Sequence, residues 1–192
     1  MKIYLASASP RRKEILSMAG VDFEIMVSDV DENISSTSAE DLVLKLSKLK
    51  ALAVFDKLSD TDTLVIGADT VVAADGKVYG KPKDYEDFHQ MMLDISGKEH
   101  QVYTGVYMAY RDKGGKRADK SFVNMTKVYV DELDDEDIRA YWESGEPVDK
   151  AGGYAIQGRF AKHIKAIIGD YYNVVGLPVN EICRELKWLQ KS

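Results

Sequence analysis

With 192 residues, 45% of them hydrophobic and 30% charged, the chain can bury a proper core, as one ordinary α/β domain or as two small lobes sharing a cleft. Its 26 basic against 32 acidic residues give a net charge of −6, which argues against a nucleic-acid coat or a membrane-surface binder; any anionic ligand must be held by a local basic cluster. Cys183, the only cysteine, leaves neither a disulfide framework nor a cysteine zinc site, and its neighbours Val179, Ile182, Leu186 and Leu189 predict a buried thiol.

The N-terminus enters a short strand over 3–7 with no hydrophobic signal core, and no apolar run approaches the roughly 18 residues of a membrane span. A cytoplasmic protein is the expectation. LASASPRRKEIL then opens a helix over 10–19, with Pro10 at its first position, Ser7 and Ser9 as caps, and Gly20 as the left-handed stop. Arg11 and Arg12 stand at the end of this helix that carries partial positive charge, where an exposed cation is unfavourable by about 0.3–1 kcal/mol. Either an anion sits where these positive ends converge, or both side chains curl back to solvent or nearby carboxylates.

VDFEIMVSDV (21–30) reads as a second strand, followed by the polar loop DENISSTS. Ser38 with Asp41 resembles a capping box for a long helix to about Lys57, with Leu42, Leu46, Leu49 and Ala53 on its inner stripe and Lys50 at the border. TLVIGADTVVAA is a strong strand, turned at Asp75-Gly76 into KVYG. Asp84 caps a helix to Ser96. Strands over 101–110 and 120–131 flank RDKGGKR, a solvated hairpin tip, and Asp134 caps DEDIRAYWES. DKAGGYAIQGRF reads as a packed loop, FAKHIKAIIGD as a strand, and Pro178 opens the last helix. Hairpin-joined strands alternating with helices predict a mixed, twisted sheet flanked by helices.

Asp69 is the residue that fits its surroundings least. A carboxylate inside LVIGADTVV needs a metal, a cation or hydrogen-bond donors, unless the strand ends there and exposes it. Gly67 and Ala68 suit a place where something approaches the backbone closely. Glu32, Lys50, Lys81 and Lys83 are each unremarkable alone. With the two arginines and Asp69 they make a kit for a nucleotide phosphate chain and a divalent ion such as Mg²⁺, which takes hard oxygen ligands. GxxxxGK[ST], GxGxxG and GxSxG are all missing, and His89, His100 and His163 lie in separate elements.

ASASPRR, GADTVV, GKPKD, YTGV, DKAGGYAIQG and GDYYNVVGLP, in this order along nearly the whole chain, resemble the Maf family. The resemblance implies a single Maf-like α/β domain over 1–192 of the inosine triphosphatase-like kind, with two lobes around a cleft, in a cytoplasmic homodimer. It implies a nucleoside triphosphate pyrophosphatase with Asp69 as proton acceptor. Ser7, Arg12, Lys50 and Lys81 match substrate-binding positions, and Glu32 with Asp69 would hold Mg²⁺ or Mn²⁺. Arg11, Thr70 and Gln157 match the branch acting on dTTP and UTP rather than the one acting on 7-methyl-GTP. Two other readings stay open: a nucleotide-binding regulator of cell division with little or no turnover, and a phosphatase releasing inorganic phosphate stepwise.

Overall fold

The computed structural model describes residues 1–189. Among these residues seven strands, β1 (Lys2–Leu5), β2 (Glu24–Ile25), β3 (Thr63–Ala74), β4 (Lys77–Tyr79), β5 (Glu99–Arg111), β6 (Arg117–Val130) and β7 (Ile164–Ile168), hydrogen-bond in the order β2-β1-β3-β5-β6-β7, with β4 on β3. Pairing is parallel for β1 with β2 and β3, and antiparallel for β3 with β4 and β6 with β7. The sheet is therefore mixed, as the hairpin signals predict. Among the described residues six α-helices accompany it: α1 (Pro10–Met18), α2 (Ala39–Phe55), α3 (Tyr85–Ile95), α4 (Asp135–Glu143), α5 (Tyr171–Val175) and α6 (Val179–Leu189). Among the described residues no helix is long and apolar enough to cross a membrane.

The chain divides into two compact units, and β3, β5 and β6 each give residues to both. Unit 1 comprises 1–69, 104–124 and the segment from Gly176 onward. Its core packs Ala51, Val54 and Phe55 of α2 against Tyr4, Val65, Tyr107 and Ala109 from β1, β3 and β5. Unit 2 comprises 70–103 and 125–175. Its core is more aromatic, with Phe88, Tyr141, Tyr154 and Phe160 among Met92, Ile95, Val102 and Val128.

The helix starts follow the expected caps. The side chains of Ser9, Ser38, Asp84 and Asp134 each accept the backbone N–H three residues on. The Asp41 carboxylate reaches back to the N–H of Thr37 rather than that of Ser38, one residue earlier than a capping box.

Several expectations need correction. The strand expected over 21–30 is only Glu24–Ile25; its partner β1 ends at Leu5, opposite Ile25, so the pairing cannot run on toward residue 30. The buried stripe of α2 is Val43, Leu46, Ser47, Lys50, Ala51 and Val54, rotated from the expected one, so Leu49 is exposed and Lys50 is buried. Phe160–His163 coils as a 3-10 turn before β7 begins, since Phe160 wedges its ring between those of Tyr141 and Tyr154. GDYYNVV contains the short helix α5, whose start is fixed by the Asp170 carboxylate accepting from Tyr172 N–H. Cys183 is half-buried, one position off the Val179–Ile182–Leu186 stripe of α6.

Two glycines let α2 lie directly on the sheet. A Cβ on Gly67 would meet the Ser47 carbonyl oxygen and stand 2.7 Å from the Ala51 nitrogen; one on Gly105 would meet the Val43 carbonyl carbon at 2.5 Å. What approaches the backbone at Gly67 is thus the helix. Gly67→Ala is expected to destabilise the protein by about 1–3 kcal/mol or more through overpacking, read as a lower denaturant midpoint at constant slope. An unchanged midpoint would mean that α2 can retreat from β3 without cost.

Candidate active site

Alternation along β3 decides which way Asp69 points. Val65 packs with α2, Gly67 has α2 against it, and Asp69 is next on the same face. The adjacent Thr70, half-buried and the first residue of unit 2, takes the opposite face. Asp69 is 7% exposed in the interior of an unbroken strand, so the solvent-facing alternative does not hold. Opposite it, Lys50 lies on the buried stripe of α2, and its Nζ donates to Asp69 Oδ1 at 2.6 Å. The same ammonium lies 3.0 Å from Glu32 Oε1, in the loop before α2. The two ion pairs differ in surroundings: the Lys50 and Asp69 side chains are each 11% exposed, whereas Glu32 is 58% exposed.

The arginine at the helix start also has its explanation. Arg12 Nε donates to the Gly176 carbonyl at 2.8 Å, and Nη1 to the Ser7 hydroxyl at 3.3 Å. Ser7 Oγ also accepts the Ser9 N–H at 3.2 Å, so a residue expected as a cap instead holds the turn before the helix and the guanidinium after it. Burial pushes the Arg12 pKa down; the charges of Asp69 and Glu32 pull it up, and Arg11 opposes them. Arginine keeps its proton throughout. Ser7, Arg11, Arg12, Glu32, Lys50 and Asp69 all belong to unit 1; Lys50 pairs with both carboxylates, Ser7 holds Arg12, and the charges of Asp69, Glu32 and Arg11 act on Arg12.

The remaining candidates, Lys81 and Gln157 together with Thr70, belong to unit 2. Lys81 follows β4 and is exposed, and so is Gln157, in the loop between Tyr154 and Phe160. The sequence reading misses Gly176, whose carbonyl orients Arg12, and Gly105, which with Gly67 brings α2 close enough for Lys50 to reach Asp69. GDYYNVVGLP offered the only hint of the first. Among the described residues no group of three or more His, Cys, Asp or Glu converges as a metal cage.

The model of the Maf-like protein family matches residues 2–189. The chain belongs to that family. Its relatives include a dTTP/UTP pyrophosphatase of Lachnoclostridium phytofermentans, 45% identical, with 97% of this chain and 94% of that one covered. Another, of Carboxydothermus hydrogenoformans and of the same name, is 48% identical over 97% of this chain and 98% of its own. Among solved structures the Staphylococcus aureus Ham1 protein overlaps 85% of this chain and 80% of its own, with a TM-score of 0.49 at 16% identity.

Proposed function

We propose that this Maf-family protein hydrolyses dTTP and UTP between the α and β phosphorus atoms, giving the nucleoside monophosphate and pyrophosphate. The observation that carries this is the Lys50–Asp69 ion pair, buried on β3 in the same charge cluster as Arg12. It sets a carboxylate and an ammonium side by side inside the fold, and the pKa of the buried Arg12 guanidinium responds to the Asp69 charge; the names borne by the relatives supply the polyanion such a site would take.

In this reading Asp69 accepts the proton of the attacking water, and Lys50 fixes which carboxylate oxygen is free to do so. Arg12, fastened to Gly176 and Ser7, needs no reorganisation to meet charge as it develops on the leaving pyrophosphate. Asp69 and Glu32 already address a single cationic centre, Lys50 Nζ. Two carboxylates suit Mg²⁺ or Mn²⁺ when substrate phosphates and water complete the coordination. The ion held by Glu32 and Asp69 would neutralise phosphate charge as the bond breaks. For Lys81, Arg11, Thr70 and Gln157 the family resemblance supports phosphate binding by the first and pyrimidine selection by the other three; it also supports a cytoplasmic homodimer.

The test is a nucleotide panel with product identification. Pyrophosphate release from dTTP and UTP is expected to exceed that from GTP and 7-methyl-GTP, and Gln157→Glu is expected to erode the preference. A purine triphosphate as the best substrate would overturn the pyrimidine reading.

A further inference from the structure

The loop carrying Gln157 is tied at both ends to one carboxylate. The Ala155 N–H donates to the Tyr141 hydroxyl at 3.1 Å, and that hydroxyl donates to Glu146 Oε1 at 2.8 Å. Glu146 Oε2 accepts the Arg159 N–H at 3.1 Å. A single clip thus spans 155–159 and closes it from below. Contact is close enough that a Cβ on Gly158 would stand 2.6 Å from Glu146 Cδ. Just before the clip, the Tyr154 hydroxyl pairs with His100 Nε2 at 2.6 Å. Burial lowers the pKa of His100 to about 4, so this imidazole is neutral at pH 7.

Tyr141 is 5% exposed, yet Gln157, Gly158 and Arg159 above it are all exposed. A solvent-facing tip has little need of such anchorage for folding alone. Holding a side chain to within a fraction of an ångström is what a supporting shell does for a recognition group. All of these groups lie in unit 2. We infer that Tyr141 and Glu146 are positioning residues for base selection, acting through the 155–159 loop to fix where the Gln157 amide is presented. This rests on the reading above that Gln157 selects the pyrimidine.

The experiment compares Tyr141→Phe, Glu146→Ala and Gln157→Glu by their kcat/KM ratio for dTTP over GTP, together with amide hydrogen exchange at Ala155 and Arg159. Both clip variants are expected to exchange faster at those amides. Their dTTP-over-GTP ratio should fall about tenfold through a raised KM for dTTP, with kcat held within about twofold. If Gln157→Glu shifts the ratio while the clip variants loosen the amides and leave the ratio unchanged, the clip is structural and the inference is wrong. If Gln157→Glu itself leaves the ratio unchanged, the selection reading fails and the inference falls with it. Should Tyr141→Phe fold poorly, Glu146→Ala carries the test, because it removes both acceptor oxygens and supplies no donor to the Tyr141 hydroxyl.

Discussion

Asp69→Asn is expected to slow pyrophosphate release from dTTP by about 10²–10⁴-fold, the usual contribution of a positioned proton acceptor. Asparagine keeps the shape of the side chain and an oxygen for Lys50 but cannot take a proton. The substitution also removes a buried charge, and the Lys50 ammonium retains Glu32 at 3.0 Å, so the fold should survive. Thermal melting of the variant therefore separates the two effects. A normal melting curve with a collapsed rate assigns the loss to chemistry; wild-type turnover would remove Asp69 from that role.

Lys50→Met should have the largest effect on stability. It leaves the Asp69 carboxylate buried in β3 without the ammonium 2.6 Å away, and breaking a buried pair from one side typically costs about 3–5 kcal/mol. The Lys50→Met/Asp69→Asn double variant should recover much of that loss, because no charge is then stranded. Glu32→Gln, by contrast, should change stability by no more than about 1 kcal/mol, since its half of the interaction is solvated. Equilibrium denaturation of the wild type, Lys50→Met, Asp69→Asn, the double variant and Glu32→Gln forms a test of the whole cluster. Additive losses in the double variant would show that Lys50 and Asp69 are not energetically paired.

Much of the local structure could be read from the chain. Ser38, Asp84 and Asp134 announce their helices because a cap is a contact between residues three apart, and Asp75-Gly76 announces a turn by its own backbone needs. Asp69 stands out because an acid in an apolar strand demands a partner. The identity of that partner could not be read. Lys50 looks like an edge residue on the stripe drawn through Leu42, Leu46 and Leu49, and the true stripe is set by where Gly67 and Gly105 let α2 touch the sheet. The end of β2 at Ile25 likewise depends on where β1 ends, at Leu5. Arg12 bonds a carbonyl 164 positions away, and Glu146 clips a loop through Tyr141, contacts that no local pattern encodes.

The most direct test of the central claim is product analysis over the first turnover of dTTP, with wild-type protein in excess of nucleotide and Mg²⁺ present. Hydrolysis between the α and β phosphorus atoms predicts dTMP and pyrophosphate in equal amounts with no dTDP. The appearance of dTDP with inorganic phosphate, or of intact dTTP bound one per chain, would contradict it.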